Sequence, residues 1–288
     1  MNFGNVLTAM VTPFDDQGNI DYKQTEILIE YLLNNGTEGL VVAGTTGESP
    51  ALTTEEKISL FKHVVKVVNK RVPVIAGTGT NNTVSTITLT KEAEKCGVDA
   101  IMLVTPYYNK PNQRGLYEHF AAIAKETTLP IMLYNIPGRS AVKMCAETII
   151  NLSKIHNMVA VKEASGDLDQ VAEIIQKTSS NFTVYSGDDG MTLPMLSIGA
   201  AGIVSVASHI IGKEMQEMVQ AFWAGDVKEA AALHRRLLPV MKGLFKFPSP
   251  APVKAALHIK GIATGGLRLP LVALTKDEEN EIKELVDG

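Results

Sequence analysis

The sequence contains little of the residue types that mark several specialised protein classes. Its 288 residues include two cysteines, Cys96 and Cys145, which form neither a CxxC motif nor a cluster at metal-ligand spacing. A disulfide-stapled fold and a cysteine-based metal site are therefore excluded. Two isolated thiols suit a reducing compartment, so we expect a cytoplasmic protein.

Long apolar stretches and runs of like charge are also missing. No stretch approaches the ~20 apolar residues of a membrane span. The N-terminus has no positive charge before the short run Val6–Val11, so we expect no signal peptide. The 27 Lys and Arg are scattered among 31 Asp and Glu, for a net charge of −4. Without a basic run, we expect neither a nucleic-acid partner nor a membrane partner.

What the sequence does contain is a series of eight short apolar runs, each followed by helical periodicity. The runs are rich in Val, Ile and Leu without clean alternation, as expected of parallel strands buried on both faces. They begin roughly 20 to 35 residues apart, the size of one βα unit. The predicted strands are Val6–Val11, Gly39–Ala43, Pro73–Ala76, Ala100–Val104, Pro130–Tyr134, Met158–Val161, Thr183–Tyr185 and Gly202–Val206.

Eight βα units in series favour an α/β protein with a closed (β/α)8 TIM barrel. An open doubly wound sheet is the alternative that the pattern leaves. Helix boundaries agree with such units. Thr53 and Glu56 form a predicted capping box, and Asn34-Asn35-Gly36 and Cys96-Gly97 are typical helix ends before a strand.

The pattern changes after the eighth strand, where residues 213–288 show helical periodicity only. This tail exceeds the one helix that completes a barrel. We therefore predict a barrel domain at 1–224 and a C-terminal helical domain at 225–288. The predicted helices are Asp226–Phe247, Val253–Lys260 and one capped by Thr275 and Glu278, with Pro248, Pro250 and Pro252 breaking the chain between the first two.

Reactive residues of such barrels stand at the C-terminal ends of the strands. Lys162 directly follows Met158–Val161, so it points into the barrel mouth, where desolvation lowers the pKa of an amine and frees a nucleophile. An ion pair with Glu163 or an inward structural lysine is the alternative. Tyr134 ends the preceding strand beside Lys162, either as a proton shuttle or as an aromatic plug.

Other strand ends carry groups suited to an anionic substrate. Gly44-Thr45-Thr46-Gly47 offers N–H groups and hydroxyls to a carboxylate, although a plain turn explains it too. Arg139 can clamp a carboxylate, unless it is merely solvated. Tyr107 and Tyr108 fit either packing or a proton relay. Asp188-Asp189 lacks a His or Glu partner at ligand spacing, so we expect a turn and hydrogen-bond role there.

An ordered set of motifs runs through essentially the whole chain. They are Val11-Thr12-Pro13-Phe14, Gly44-Thr45-Thr46-Gly47-Glu48, Ala76-Gly77-Thr78-Gly79, Val104-Thr105-Pro106-Tyr107-Tyr108-Asn109, Tyr134-Asn135-Ile136-Pro137-Gly138-Arg139, Val161-Lys162-Glu163-Ala164, Ser186-Gly187-Asp188-Asp189, Pro252-Val253-Lys254 and Leu267-Arg268-Leu269-Pro270. The set resembles the dihydrodipicolinate synthase family of pyruvate-dependent class I aldolases, a superfamily that also holds N-acetylneuraminate lyase. Each motif alone is weak, whereas the ordered set is highly specific.

The resemblance implies chemistry on pyruvate, in which Lys162 forms a Schiff base with the keto carbon. Tyr134 is then the proton donor and acceptor, and Thr45 and Tyr108 complete a hydroxyl relay to it. In this family the tyrosine that matches Tyr108 comes from the neighbouring subunit, so we expect a homotetramer built from tight dimers. No metal or organic cofactor is implied, because the protonated imine itself is the electron sink.

The same resemblance implies the substrate contacts. Thr46 and the backbone at Val204 hold pyruvate, Arg139 binds the carboxylate of L-aspartate 4-semialdehyde, and Gly187 lines the opposite wall. The implied function is 4-hydroxy-tetrahydrodipicolinate synthesis in the diaminopimelate route to L-lysine. Ser140-Ala141 departs from the Thr-Gly that is common after this arginine, on the semialdehyde side.

Two other functions stay open. One is a related aldolase, such as N-acetylneuraminate lyase or a sugar-acid aldolase or dehydratase; the lyases, as a family, lack an arginine at the place of Arg139. The other is a catalytically silent barrel that serves as a binding protein. That second alternative is weakened because Lys162, Tyr134, Thr45 and Tyr108 are all present.

Feedback-inhibited members of this family bind lysine in a cleft at the dimer interface. Those bacterial members typically carry histidines on the helix after the GTTGE motif and a glutamate after the GTG motif. This chain has Thr54 and Lys57 on that helix and Ser85 on that segment. Because Ser85 cannot pair with the α-ammonium of the inhibitor and Lys57 repels it, we expect weak or absent inhibition by L-lysine.

Overall fold

Eight parallel strands close into a barrel in which neighbours pair in chain order and the eighth strand pairs with the first. The structure is a computed structural model, and it describes residues 3–287. The closed barrel confirms the predicted (β/α)8 fold and excludes the open sheet. The strands are β1 (Val6–Ala9), β2 (Gly39–Val42), β3 (Val74–Gly77), β4 (Ala100–Val104), β5 (Ile131–Asn135), β6 (Met158–Glu163), β7 (Thr183–Ser186) and β8 (Gly202–Ser205).

Helices surround the barrel and continue past it. Short 3₁₀ turns follow β2 and β7, at Ser49–Ala51 and Asp189–Met191. None of the helices within residues 3–287 is long and apolar enough to cross a membrane. The helices are α1 (Tyr22–Asn34), α2 (Thr54–Val68), α3 (Thr83–Lys95), α4 (Gln113–Ala124), α5 (Pro137–Ser140), α6 (Ala146–Leu152), α7 (Leu168–Lys177), α8 (Thr192–Ser197), α9 (Ser208–Trp223), α10 (Val227–Gly243), α11 (Ala251–Ile259) and α12 (Lys276–Asp287).

All eight predicted strands are present, with ends that shift by one or two residues. The most useful shift is at β6, which continues past Val161 because Lys162 and Glu163 still pair with β5 and β7. Lys162 is therefore a strand residue with both neighbouring strands beside it, and its side chain is held more rigidly than a loop lysine would be.

The predicted helix ends are confirmed. Thr53 and Glu56 form the capping box of α2, with main-chain N–H donors bonded to each side chain at 2.8 and 3.2 Å. Gly36 and Gly97 follow α1 and α3 with φ angles of +88° and +81°, a conformation that glycine adopts without the steric cost that other residues incur.

The C-terminal segment is helical, as predicted, with two corrections. The helix predicted to end at Phe247 ends at Gly243. Pro252 does not separate two helices: it lies in the first turn of α11, where a missing N–H costs no hydrogen bond. Thr275 and Glu278 do cap α12 through reciprocal hydrogen bonds. The division into domains at 1–224 and 225–288 stays a prediction.

The barrel interior is filled by an apolar cluster that is separate from the larger one between strands and helices. Leu7, Val41 and Met132 belong to this inner cluster. At its N-terminal end the main-chain N–H of Phe3 donates to the Tyr185 hydroxyl at 3.1 Å. With that end closed by packing, polar strand-end groups gather at the C-terminal end.

Candidate active site

Lys162 and Tyr134 lie side by side at the C-terminal end of the barrel, as the sequence predicts. They are register partners on β6 and β5, and the Lys162 ammonium is 4.2 Å from the centroid of the Tyr134 ring. Both side chains are almost completely buried. An amine and a phenol in contact, shielded from water, can exchange a proton and act on a carbonyl carbon.

The surroundings of Lys162 favour its neutral, nucleophilic form. Burial lowers its pKa to about 8, helped by the positive charge of Arg139 and opposed by the negative charge of Asp189. Burial also raises the pKa of Tyr134 to about 12, so this phenol holds its proton until a base takes it. Within residues 3–287 Lys162 forms no ion pair with Glu163, whose carboxylate accepts hydrogen bonds from elsewhere, including the Asn135 amide at 2.9 Å.

Asp189 supports the end of β8 from inside the protein. Its carboxylate accepts hydrogen bonds from the Ser205 hydroxyl and from the main-chain N–H groups of Val206 and Ala207. Burial raises the pKa of Asp189, and these donors oppose that shift. Asp188 turns outward and caps a 3₁₀ turn. These contacts agree with the turn and hydrogen-bond role predicted for the two aspartates.

The turn after β2, residues 44–48, brings two threonines to the same end. The Thr45 side chain acts on the Tyr134 hydroxyl and opposes the rise in its pKa, and Thr46, the next residue, is buried. This segment, residues 44–48, is called the threonine turn below. Ala43, directly before it, and Glu48, its last residue, have left-handed φ angles of 51° and 56°. Such angles are unfavourable for residues with a Cβ, so the turn keeps this shape only because its surroundings impose it.

Arg139 lies on the one-turn helix α5, at the rim above Tyr134. Its side chain is exposed, and no ion pair or hydrogen bond engages its guanidinium within the described part of the chain. Its charge nevertheless lowers the pKa of both Lys162 and Tyr134. A free guanidinium at the mouth of the site is available to a carboxylate ligand.

Gly187, directly after β7, and Val204, on β8, belong to the strands between Lys162 and β1. A Cβ on Gly187 would stand 2.7 Å from the Ala164 side chain and 3.1 Å from two carbons of Lys162. Only glycine therefore leaves the Lys162 stem its space. Val204 is buried and faces the barrel interior.

Tyr108 is the one predicted site residue that this chain does not bring to the others. Its side chain is 88% exposed and its φ angle is +71°, whereas Tyr107 beside it turns toward the cleft. An exposed tyrosine in a left-handed conformation is unusual and draws attention to a functional constraint.

A single cleft joins three of these residues, Thr45, Tyr134 and Arg139, and extends beyond them. It begins at Arg139 and Tyr134, passes Thr45 and ends near Lys57, whose burial lowers the pKa of its ammonium. The cleft is lined by Ala43, Gly44, Thr45, Ser49, Pro50, Lys57, Gly77, Gly79, Thr80, Met102, Val104, Tyr107, Tyr134, Ile136, Arg139 and Ser140.

The sequence interpretation missed a buried ion pair behind the threonine turn. The Lys254 ammonium on α11 lies 2.7 Å from a Glu48 carboxylate oxygen, and both side chains are essentially inaccessible to water. Both residues stand in the quoted motifs, but no role was assigned to them. A signal was available, since Lys254 is the only charged residue in the apolar segment Ala251–Leu257.

Comparisons with known proteins agree with this geometry. The dihydrodipicolinate synthetase family matches residues 2–288. A protein of Halalkalibacterium halodurans named 4-hydroxy-tetrahydrodipicolinate synthase 2 is 63% identical over 100% of this chain and 98% of its own. The Bacillus subtilis 4-hydroxy-tetrahydrodipicolinate synthase is 60% identical over 99% of both chains.

The solved structures that resemble this chain also bear the name dihydrodipicolinate synthase. The crystal structure of dihydrodipicolinate synthase from Bacillus anthracis has a TM-score of 0.99 and 57% identity, covering 100% of this chain and 99% of its own. The enzyme from Cyanidioschyzon merolae, solved with lysine bound, has a TM-score of 0.96 and 47% identity, covering 98% and 97%. With matches of this extent in sequence and in structure, the chain belongs to the dihydrodipicolinate synthetase family.

Proposed function

We propose that this protein condenses pyruvate with L-aspartate 4-semialdehyde to 4-hydroxy-tetrahydrodipicolinate, in the diaminopimelate route to L-lysine. The observation that carries the proposal is the buried Lys162 amine in contact with Tyr134, below an unpaired Arg139. The relatives bear the name of this activity. We further propose that it acts in the cytoplasm.

The proposed reaction begins when the neutral Lys162 amine attacks the keto carbon of pyruvate. Tyr134 gives a proton to the departing oxygen, water leaves, and a protonated imine forms. The imine withdraws electrons, so a methyl proton leaves to a base and an enamine results. The enamine carbon attacks the aldehyde carbon of the second substrate. The amine of that substrate then displaces Lys162 and closes the ring.

Four further groups serve pyruvate in this proposal. Thr45 relays protons to Tyr134, whose pKa its side chain already lowers. Thr46 and the main chain at Val204 bind the pyruvate carboxylate from the ends of β2 and β8, the two strands that flank β1. Gly187 keeps the wall beside the Lys162 stem open. Each of these residues lies where the ends of the strands converge.

The aldehyde substrate distinguishes this function from its nearest alternative. Arg139 suits a short substrate with a carboxylate, and a sugar such as N-acetylmannosamine offers no anion there. Turnover with pyruvate plus either aldehyde decides between them. We expect ring product with aspartate semialdehyde and little reaction with N-acetylmannosamine; the opposite preference would assign the protein to the sugar-acid aldolases.

Replacement of Tyr108 by phenylalanine is expected to reduce kcat by about 10²-fold, since it removes one hydroxyl from the proton relay. Its side chain is exposed, so the thermal unfolding midpoint should hardly move. We propose that this hydroxyl enters the cleft of a neighbouring subunit, in a homotetramer built from tight dimers. Tyr107→Phe is the adjacent comparison; near-normal rates in Tyr108→Phe would remove this residue from the relay.

L-lysine is expected to inhibit weakly or not at all. The Cyanidioschyzon merolae enzyme was solved with lysine bound. In this chain Lys57 places a positive charge in the cleft, and the exposed Ser85 supplies no negative charge to an ammonium. The loss of one charge-assisted contact weakens binding by about 10-fold or more. A titration of activity with L-lysine tests this, and half-inhibition below about 1 mM would contradict it.

A further inference from the structure

The threonine turn, residues 44–48, has a shape that its own sequence does not favour. Ala43 and Glu48 both have left-handed φ angles although neither is glycine. Inside the turn the Glu48 N–H donates to the Thr45 carbonyl at 3.1 Å, and the Ser49 N–H donates to the Gly44 carbonyl at 3.2 Å. These short-range bonds close the turn, but they do not fix it relative to the barrel. Anchors from other elements have to do so.

Two anchors are present, one from each side. On the barrel side the Thr12 hydroxyl donates to the Gly47 carbonyl at 2.7 Å. On the outer side the Lys254 ammonium lies 2.7 Å from one oxygen of the Glu48 carboxylate. The main-chain N–H of Arg268 donates to the other oxygen at 3.0 Å. The second anchor therefore comes entirely from the C-terminal part of the chain.

The Lys254 end of this anchor is itself rigidly held. Its ammonium also donates to the Gly266 carbonyl at 2.7 Å and lies 4.4 Å from the centroid of the Phe14 ring. The Arg268 guanidinium lies 4.6 Å from the same ring and pairs with Glu56 at the start of α2. The Lys254 ammonium is thus held between the Gly266 carbonyl, the Phe14 ring and the Glu48 carboxylate, and this fixes where the carboxylate lies.

A buried ion pair is poor at stabilising a fold, because desolvation offsets most of the attraction between the charges. A buried pair can instead specify one geometry among several, and the geometry that it specifies here belongs to the turn that carries Thr45 and Thr46. We infer that Lys254, through its ion pair with Glu48, is a positioning residue for these two threonines. The inference rests on the proposed role of Thr46 in binding pyruvate.

The test uses a variant that removes both charges together, so that neither buried charge is left without its counter-charge. In Glu48→Gln/Lys254→Met the side chains keep nearly their lengths, while the attraction between the two charges is lost. Displacement of a binding group by about 1 Å can cost up to about 10²-fold. We expect KM for pyruvate to rise about tenfold or more, with KM for the semialdehyde changed much less because Arg139 lies on a different loop.

Two controls separate position from stability. Lys246→Met breaks an exposed ion pair with Glu281 in the same C-terminal region, so its kinetics should match the unmodified protein. Glu38→Gln removes the charge of a carboxylate that accepts a hydrogen bond from the main-chain N–H of Val6, at the opposite end of the barrel. It should lower the unfolding midpoint and leave both KM values unchanged. If the double variant also lowers the unfolding midpoint and leaves both KM values unchanged, the inference is wrong.

Thr46→Val makes failure of the inference distinguishable from failure of the proposed function. If Lys254 acts through Thr46, combining Thr46→Val with the double variant should raise pyruvate KM by less than the product of the two separate fold-increases. If Thr46→Val raises this KM and the double variant does not, the proposed function stands and the positioning role is wrong. If Thr46→Val has no effect, the assignment of Thr46 and the inference built on it both fail.

A milder variant keeps the test decisive if the double variant does not fold. Glu48→Asp keeps both charges and shortens the carboxylate side chain by one methylene, so the ion pair with Lys254 can re-form only if the turn shifts, and no buried charge is left without a partner. We expect a rise in pyruvate KM of about threefold, with a smaller change in the unfolding midpoint than in the double variant. An unchanged KM in this folded variant would overturn the positioning role.

Discussion

Lys162→Ala is expected to lower the condensation rate by about 10³-fold or more, because it removes the buried amine that contacts Tyr134 and forms the imine. Pyruvate with borohydride should inactivate the unmodified protein irreversibly and leave one reduced adduct. Peptide mapping by mass spectrometry should find that adduct on Lys162 and on no other residue. Lys177→Ala, which removes an exposed amine, is the control: in this variant pyruvate should be trapped on Lys162 at the normal rate.

The capture rate should also follow the charge of this amine. With a pKa of about 8, the neutral fraction of Lys162 rises with pH and levels off above that value. The rate of borohydride capture should therefore increase from about pH 6 to about pH 9. An adduct on another residue, or a rate that falls over this interval, would contradict the assignment of Lys162 as the nucleophile.

Asp189 provides a way to shift that profile in a known direction. Its negative charge favours the ammonium form and raises the pKa of Lys162. In Asp189→Asn this attraction is lost, so the midpoint of the profile should move to lower pH. Asp188→Asn is the matched control: its carboxylate turns outward, and the midpoint should stay in place. A shift to higher pH in Asp189→Asn would show that another group controls the amine.

Arg139→Ala is expected to lower kcat/KM for the semialdehyde by about 30-fold to 10³-fold. The loss of a bidentate contact with a carboxylate costs about 2–4 kcal/mol, somewhat above one charged hydrogen bond. Because Arg139 stands at the rim and is only a minor cause of the lowered pKa of Lys162, capture of pyruvate should fall much less than condensation. Steady-state kinetics with each substrate varied in turn measure the two effects.

Arg139→Lys separates charge from shape in that result. Lysine keeps the positive charge but cannot present two parallel donors, so kcat/KM for the semialdehyde should lie between those of the alanine variant and the unmodified protein. Equal damage to pyruvate capture and to condensation in Arg139→Ala would mean that the arginine maintains the loop and does not bind the substrate.

The fold could be predicted because its signals are local. Eight buried runs at a regular spacing determine the strands, and capping residues such as Thr53 mark where helices begin. The position of Lys162 beside Tyr134 then follows from strand order, since consecutive parallel strands of a barrel are neighbours. Even the small error at β6 had a local cause: polar residues at a strand end look like the start of a loop.

Other features depended on contacts that no local pattern encodes. The pair between Glu48 and Lys254 joins residues more than 200 positions apart, so the lone charge of Lys254 in an apolar segment indicates a buried partner without identifying it. The conformation of Ala43 is a second case, because alanine has no intrinsic preference for a left-handed φ and adopts it here through the packing of the barrel end. Pro252 was misplaced because proline ends some helices and begins others.

The outward position of Tyr108 has a genetic consequence. If its hydroxyl serves only a neighbour's cleft, a subunit that lacks Lys162 can still lend its tyrosine, and a subunit that lacks Tyr108 can still form the imine. Two inactive alleles, Lys162→Ala and Tyr108→Phe, would then complement each other when co-expressed, since one cleft of each mixed dimer has both groups. Selection would in that case act on pairs of chains, and a single chain would not be the unit that carries the activity.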